Sequence, residues 1–243
     1  MTAGRALFWP TVFVIPALAV LVGLGIWQLE RRAWKHDLIA RAGERAGAEA
    51  VVLPGPRDWA GLDLEQWEYR PVTLGGIFEH DAEAHVFTVL SQPRGGQGGA
   101  GYWVITPLRL ESGEAVLVNR GFVPDRLKDA TSRAQGQIAG EVKITGLVRK
   151  SEQPGFFVPS PDINGNVWYA RNVEQIARAR DLDRVAPFYI DAKAPEGGAV
   201  PQGGETRLEF EDSHLGYAVT WFGLAGALVV VYLAFCRLRA RGA

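Results

Sequence analysis

The fold is decided by two long runs of sequence that contain no formally charged residue. The first is LFWPTVFVIPALAVLVGLGIWQL (residues 7–29), and the second is LGYAVTWFGLAGALVVVYLAFC (residues 215–236). A helix rises about 1.5 Å per residue, so each run spans roughly 33 Å, and the hydrocarbon core of a bilayer is roughly 30 Å thick. We therefore predict two transmembrane helices at these positions.

A cleavable signal peptide is the alternative for the first run. The apolar region of a signal peptide is usually about 7–15 residues long and ends at a small-residue cleavage site. The run found here is longer and continues into Gln28-Leu29-Glu30-Arg31-Arg32, which favours a retained helix. Pro10 and Pro16 are compatible with this prediction because membrane helices tolerate proline.

The residues between the two runs are polar and of mixed charge. Residues 30–213 hold all 27 acidic side chains and 22 of the 26 basic ones, so this region carries a net charge of −5. The apolar runs exclude a freely soluble enzyme, and the negative charge argues against nucleic-acid binding. The single Cys excludes an intrachain disulfide and argues against a thiol oxidoreductase, which would need two.

The charges near the spans predict the orientation. Two spans place both tails, residues 1–6 and 237–243, on one side, and three Arg in the second tail favour the cytoplasm. Arg31, Arg32 and Lys35 lie just beyond the first span and favour the opposite orientation. Long domains translocate largely regardless of charge, so we predict cytoplasmic termini and an external central domain.

The central region begins with a predicted helical stalk. Residues 27–45 keep apolar side chains at helical spacing, so the first helix is expected to continue past the membrane over residues 30–45. Residues 51–59 contain Pro54, Gly55 and Pro56 and are predicted to be a linker.

The remainder of the central region is predicted to be an antiparallel β domain. Strands are expected at residues 69–78, 85–90, 102–110, 114–119, 141–149, 168–170 and 188–191. Glu111-Ser112-Gly113 is typical of a hairpin turn, and residues 172–180 indicate a short helix in which Asn172 is the N-cap. The predicted fold class is therefore membrane α+β, with two transmembrane helices flanking a β-dominated antiparallel extramembrane domain.

Most apparent chemical motifs have an ordinary structural interpretation. Residues 93–101 are rich in Gly, but a strand follows them rather than the helix that a phosphate loop needs, so we predict a flexible inter-strand loop. Glu209, Glu211 and Asp212 have no His or Cys at ligand spacing and are predicted to be an acidic collar, with Asp212 or Ser213 capping the second helix.

The scattered histidines and the thiol are also predicted to have no ligand role. Surface or structural roles are expected for His36, His80 and His85, and Cys236 is predicted to be inert.

One face of the second helix is a candidate cofactor site. His214 begins the helix, and Tyr217, Ala218, Trp221 and Ala225 share its face. An imidazole at the membrane boundary can act as the axial ligand of haem iron, and flat aromatic and small side chains can line a porphyrin ring. This pattern makes His214 a candidate haem-iron ligand.

The end of the first helix supplies candidate partners for the two haem propionates. With the predicted topology, Gln28, Arg31, Arg32 and Lys35 lie at a depth similar to that of His214, and Arg pairs with carboxylates in bidentate geometry. The alternative is an interfacial belt in which His and Trp sit at the headgroups and the basic side chains snorkel to lipid. The residues alone leave both interpretations open.

The sequence also resembles a known family, the Surfeit locus protein family of cytochrome c oxidase assembly factors. The resemblance covers nearly the whole chain and rests on motifs in both helices and in the domain. In chain order these are Gly25-Ile26-Trp27-Gln28-Leu29-Glu30-Arg31-Arg32, Tyr69-Arg70-Pro71-Val72, Gly101-Tyr102, Thr106-Pro107-Leu108, Val116-Leu117-Val118-Asn119-Arg120-Gly121-Phe122-Val123-Pro124, Gly146-Leu147-Val148-Arg149, Trp168-Tyr169, His214-Leu215, Tyr217-Ala218 and Thr220-Trp221-Phe222. The chain departs from the pattern at Phe122, where Trp is usual, and at Asp212, where Asn is usual.

The resemblance implies a two-pass factor that receives or positions haem a for the haem-bearing subunit of cytochrome c oxidase. It implies that His214 is the haem ligand, that haem a synthase is a candidate donor, and that the protein is not an enzyme. No presequence of mitochondrial type precedes the first helix, so we expect a bacterial inner membrane and a periplasmic domain. A membrane scaffold that binds oxidase subunits without a cofactor is the alternative function, and a haem-modifying enzyme is a third.

Two further expectations concern local structure. In the stretch Val118-Asn119-Arg120-Gly121 we expect a turn in which Asn119 bonds locally and Gly121 adopts a positive φ, with docking on a partner as the alternative. Small residues spaced four apart, Ala19 with Gly23 and Gly223 with Ala227, predict close packing of the two spans.

Overall fold

The computed structural model describes residues 3–194, 200–206 and 212–241. The chain forms two compact units, of which one comprises Met1–Arg41 with Leu208–Ala243 and the other comprises Ala42–Arg207. We call the first the helix pair and the second the β domain.

The two apolar runs are helical, as predicted. Helix α1 is Ala3–Ala46 and helix α4 is His214–Arg241. Both are long and apolar enough to cross a membrane by length and composition, and few of their side chains are buried. The prediction that helix α1 continues through residues 30–45 is confirmed.

The two helices of the pair run antiparallel. Thr11 near the start of helix α1 meets Tyr232 near the end of helix α4, and Gln28 meets His214. The more buried positions of both helices alternate in steps of three and four residues, as expected for a coiled-coil-like seam. These positions are Val14, Leu18, Leu21, Gly25 and Gln28 in helix α1 and His214, Ala218, Trp221 and Ala225 in helix α4.

The predicted small-residue contact between the helices is wrong. A Cβ added at Gly23 or Gly223 would meet no described heavy atom within 4 Å, and Ala19 and Ala227 are exposed. The close approach occurs at Gly25, where an added Cβ would lie 2.7 Å from the Phe222 ring. The small residues of each pair are four apart, but they lie on the side of each helix that does not contact the other helix.

The described residues of the β domain form one sheet of seven strands. They are β1 (Val51–Val52), β2 (Pro71–Phe78), β3 (Ala84–Leu90), β4 (Gly99–Arg109), β5 (Ala115–Pro124), β6 (Glu141–Lys150) and β7 (Val185–Ala192). The strand order is β1-β2-β6-β7-β5-β4-β3, and pairing between β2 and β4 closes the sheet into a barrel. The β-rich prediction is therefore confirmed.

The predicted antiparallel pairing holds for five of the seven strand pairs found among the described residues, and two pairs are parallel. Strand β7 lies between β5 and β6 and pairs with β5 in parallel, and β1 also pairs with β2 in parallel. A parallel pair needs a long crossover connection, which the segment between β5 and β7 supplies by including strand β6 and helix α3 (Val173–Ala179).

Three apolar clusters form the core of the described β domain. Alternate residues of β5 point to opposite faces, so Val116 and Val118 join the first cluster and Leu117 joins the second. The first cluster also contains Phe188, and the second packs under helix α3 through Ile176. The third contains Tyr102, Val104 and Val123.

The predicted linker belongs to this core. Leu53 and Trp59 are buried in the first cluster, and the Trp59 ring packs edge-on against Phe188 with centroids 5.7 Å apart. Trp59 lies in a 3₁₀ helix, Pro56–Gly61, and its indole N–H donates to the Pro54 carbonyl at 2.9 Å. Proline at a helix start is favourable, so Pro56 begins the 3₁₀ helix and this segment is not a linker.

Some of the remaining predictions about local structure are confirmed, and one is wrong. The turn at Gly113 is confirmed with a φ of +89°, and Asn172 caps helix α3 by accepting from the Gln175 N–H at 2.9 Å. The predicted strand at residues 168–170 is wrong, since Trp168 forms only an isolated bridge with Val86. The structure adds helix α2 (Leu64–Trp67) and three further 3₁₀ segments: His80–Ala82, Asp125–Leu127 and Ala130–Gly136.

Candidate functional site

The candidate site lies at the end of the helix pair where helix α4 begins. Nδ1 of His214 donates to Oε1 of Gln28 at 2.7 Å. Among the described residues, no group is hydrogen-bonded to the other ring nitrogen, Nε2. In a neutral imidazole whose Nδ1 is the donor, Nε2 carries the lone pair, so this side chain is prepared to bind a metal through Nε2.

Asp212 organises the polar groups beside His214. Its Oδ1 accepts from the backbone N–H of His214 at 3.1 Å, which confirms a capping role. Its Oδ2 accepts from Nε of Arg32 at 2.9 Å and from Nε2 of His36 at 2.7 Å. The hydrogen bond from His36, supported by that from Arg32, lowers the pKa of Asp212 to about 2.

These contacts come from one face of helix α1. Gln28, Arg32 and His36 are four residues apart, so their side chains lie one above another along the helix. The sequence predictions included Gln28 and Arg32 but placed His36 among the scattered histidines and Asp212 in an acidic collar. The spacing of four was the signal that could have joined His36 to the site.

The other predicted site residues lie in different surroundings. Tyr217 is 57% exposed, whereas Ala218 is buried and Trp221 is half-buried at the seam of the pair.

Arg31 is exposed, and its guanidinium stacks on the Trp34 ring at 4.0 Å. The structure thus brings Gln28, Arg32 and Ala218 together with His214 at the seam, and it places Arg31 and Tyr217 outside it.

The buried histidine of the β domain has a structural role, as predicted. Nε2 of His85 donates to Glu83 at 2.7 Å, and Nδ1 accepts from Nδ2 of Asn166 at 3.1 Å. Glu83 also pairs with the buried Arg133. Burial acts to raise the pKa of Glu83, but hydrogen bonds from His85 and Arg133 lower it to about 2.

The stretch around Gly121 shows the predicted local bonding, but the predicted turn is wrong, because strand β5 continues through it to Pro124. Gly121 has a φ of +127°, and Oδ1 of Asn119 accepts from its N–H at 3.1 Å. The amide of Asn119 also donates to the buried Asp191 at 2.8 Å, and Arg149 donates to the same carboxylate at 2.9 Å. Asp191 therefore links two of the sequence motifs, and the prediction had not found it.

The Gly-rich loop holds an internal carboxylate. Glu205 accepts from the backbone N–H groups of Arg94 and Gly95 at 2.9–3.0 Å, and Gln202 accepts from the Gln97 N–H at 2.9 Å. A strand follows the loop, as predicted. The backbone N–H groups of the loop bind Glu205, a side chain of the same protein.

The described residues, 3–194, 200–206 and 212–241, contain no cluster of metal-ligating side chains. No group of three or more His, Cys, Asp or Glu side chains there is arranged to hold a metal ion. Glu209 and Glu211, which were predicted to join Asp212 in an acidic collar, lie outside the described residues.

Comparisons with known proteins agree on one family. The family model described as the SURF1 family matches residues 15–226. Surfeit locus protein 1 of Homo sapiens is 38% identical over 230 residues, covering 89% of this chain and 73% of that protein. The protein of the same name from Rattus norvegicus is 37% identical and covers 90% and 72%, and a SURF1-like protein of Monosiga brevicollis is 36% identical and covers 95% and 87%.

Proposed function

The chain belongs to the SURF1 family, known as cytochrome c oxidase assembly factors, and from this premise we propose that it binds haem a transiently and positions it for the haem-bearing oxidase subunit. Membership of a family of assembly factors suggests that the protein is not an enzyme. Haem a synthase is the proposed donor in this scheme.

The proposed location is a bacterial inner membrane. Helices α1 and α4 both have the length and composition of membrane spans. Arg237, Arg239 and Arg241 support cytoplasmic termini, and the β domain would then be periplasmic.

The observation that carries the haem proposal is the hydrogen bond from His214 to Gln28. A histidine that binds a metal usually donates its other ring N–H to an oxygen, which fixes the tautomer and orients the ring. Gln28 supplies that oxygen at 2.7 Å, and the ring nitrogen that remains is Nε2. Bound haem would supply the iron, and this chain would hold it through Nε2 of His214.

The charges near His214 divide into positioning groups and a free cation. Arg32 is paired with Asp212, so its role in the proposal is to hold the start of helix α4 and thereby His214. Arg31 is exposed and, among the described residues, pairs with no carboxylate, so we assign it to a propionate. Tyr217 is exposed enough to contact the ring, whereas Ala218 packs inside the pair.

The test is the haem content of the full chain purified in mild detergent from cells that make haem a. We expect a Soret band and extractable haem a in the natural protein and loss of most haem in His214→Ala. His80→Ala is the matched control, because His80 is another histidine outside the helix pair, and it should retain haem. Equal haem content in His214→Ala and the control would refute His214 as the ligand.

A scaffold that carries no cofactor is the second candidate. Phe156 and Phe157 favour it, since both side chains are almost fully exposed at 95% and 94%, and such aromatic surface marks protein contacts. Co-elution of oxidase subunits with a protein that shows no Soret band would support the scaffold.

The phenotype of a deletion strain separates assembly from enzymatic roles. We expect a partial loss of active oxidase with intact haem a, while total haem a and haem a synthase activity stay unchanged. Loss of haem a synthesis itself would favour an enzyme, and normal oxidase activity would exclude an assembly role.

A further inference from the structure

Arg120 occupies a β-bulge in the middle of strand β5, in which every residue is buried. Val104 pairs with Gly121 and Ile105 pairs with Asn119, so Arg120 is the extra residue of strand β5. A bulge changes the direction of a side chain and is common beside binding sites. Gly121 makes this bulge possible, because its φ is positive and an added Cβ would clash with the backbone of Gln202.

Arg120 is buried without an anionic partner. Its side chain is 8% exposed, and no carboxylate among the described residues lies within ion-pair distance. The guanidinium lies 4.7 Å from the centre of the Phe78 ring, Nη2 donates to the Gly136 carbonyl, and Nη1 donates to His80 at 3.5 Å. Burial lowers the pKa of Arg120 to about 10, so it remains charged at neutral pH.

The other buried arginine of the described β domain and two partly buried ones have carboxylate partners. Arg133 pairs with Glu83, Arg149 with Asp191, and Arg171 with Glu152. An unpaired buried charge is costly, and sites of this kind are candidates for a ligand that supplies the opposite charge. Among the described residues, Arg120 is thus the buried arginine that lacks a carboxylate partner, whereas Arg180, which also lacks one, is only partly buried.

Arg120 lines a cleft of about 620 Å³, which is within the usual range for a small-molecule site. Two more cations, Lys143 and Lys193, line the same cleft, and no Asp or Glu is among its described lining residues. The walls are mainly apolar and include Ile138, Ile144 and Val200. Three cations on an apolar surface stand out in a central region whose net charge is −5.

We propose that this cleft binds a carboxylate attached to an apolar body. The guanidinium of Arg120 has five N–H donors, of which two are engaged, and a planar carboxylate suits the donors that remain. The apolar walls bury the body of the ligand, and Lys143 and Lys193 attract its charge. This site is in the β domain and is separate from the proposed haem site in the helix pair.

The test uses the full chain in nanodiscs of zwitterionic lipid and a photoreactive diazirine analogue of octanoate as the probe. Mass spectrometry of the labelled peptides should locate the label in strand β6 and in residues 192–194. Octanoate should compete with the probe, and octanol should not, since it has the same apolar body without the charge.

Charge variants make the test specific. In Lys143→Gln/Lys193→Gln, which changes only exposed side chains, we expect labelling of the cleft to fall about fivefold, since each exposed ion pair contributes modestly to binding. Arg57→Gln/Arg178→Gln removes two exposed positive charges that do not line the cleft, and labelling should be unchanged. Equal labelling in both double variants, or equal competition by octanol, would overturn the proposal.

The source of the carboxylate is distinguished by a second competition. An apolar tetrapeptide with a free C-terminus is compared with its C-terminal amide. Competition by octanoate alone indicates a fatty acid, and competition by the free peptide but not the amide indicates a chain terminus. The readout requires no haem, so failure of the haem proposal would leave this result unaffected.

Discussion

The surroundings of His85 and His214 differ in how many of the two ring nitrogens are bonded to protein groups. In the β domain both ring nitrogens of His85 have protein partners, Glu83 and Asn166, and the ring is buried. In the helix pair His214 has one described partner, Gln28, and is only half-buried. The completed set of hydrogen bonds gives His85 a structural role, whereas Nε2 of His214 has no described partner and is the atom that the proposed function assigns to haem iron.

The largest expected effect tests the structural side of this comparison. Glu83→Gln would leave Arg133 buried without its carboxylate, and breaking a buried ion pair in this way costs about 3–5 kcal/mol. Thermal or chemical unfolding of the β domain, followed by circular dichroism, should show that loss. Haem content per folded molecule should not change, and a parallel loss of haem would contradict the separation of the two histidines.

Acid should destabilise the β domain through the cluster formed by Glu83, His85 and Arg133. The pKa of Glu83 is lowered from its ordinary value of 4.5 to about 2, so its contribution to stability is present above pH 4.5 and is lost as the pH falls towards 2. The shift corresponds to about 3 kcal/mol. Unfolding free energies measured between pH 6 and pH 2 should show this decrease in the natural protein and a much smaller one in Glu83→Gln.

Removing the oxygen that fixes the tautomer of His214 tests the ligand side. Gln28→Leu should weaken haem retention about tenfold to a hundredfold, as for other partners of metal-bound histidines. Titration of the purified protein with haem measures the change. Gln66→Leu is a suitable control, since Gln66 is an exposed glutamine in helix α2. Unaltered affinity in Gln28→Leu would show that this hydrogen bond does not prepare His214.

The smallest expected effect is that of Arg32→Gln. Arg32 and Asp212 form an ion pair that is partly exposed, and such pairs contribute about 0–1 kcal/mol. We expect haem affinity to fall by less than about fivefold, because His36 still holds Asp212. A loss as large as that of His214→Ala would instead place Arg32 in direct contact with the haem.

The sequence was informative where a pattern is local. The length of the two uncharged runs predicted both helices, and the alternation of apolar and polar residues predicted most strands. The position of an imidazole at a helix start made His214 the candidate ligand. Strand ends were less accurate: the strand predicted at residues 114–119 continues to Pro124 because the bulge at Arg120 keeps it paired beyond Asn119.

The errors arose where the deciding contact is distant in the chain. Trp59 follows prolines that favour a linker, but its packing on Phe188 makes it part of the core. Nothing near strand β7 indicates that it pairs in parallel with β5. Asp212 and His36 are far apart in sequence, so their meeting depends on the antiparallel packing of two helices rather than on either segment alone.

The position of strand β7 has a consequence for biosynthesis. It completes the barrel between β5 and β6, so both strands have an unpaired edge until Val185–Ala192 leaves the ribosome. At about 5–20 residues per second, the stretch from Lys150 to Val185 takes roughly two to seven seconds to synthesise. Throughout that interval the nascent domain presents two open strand edges to other chains, and a polypeptide released before Val185 would keep them permanently.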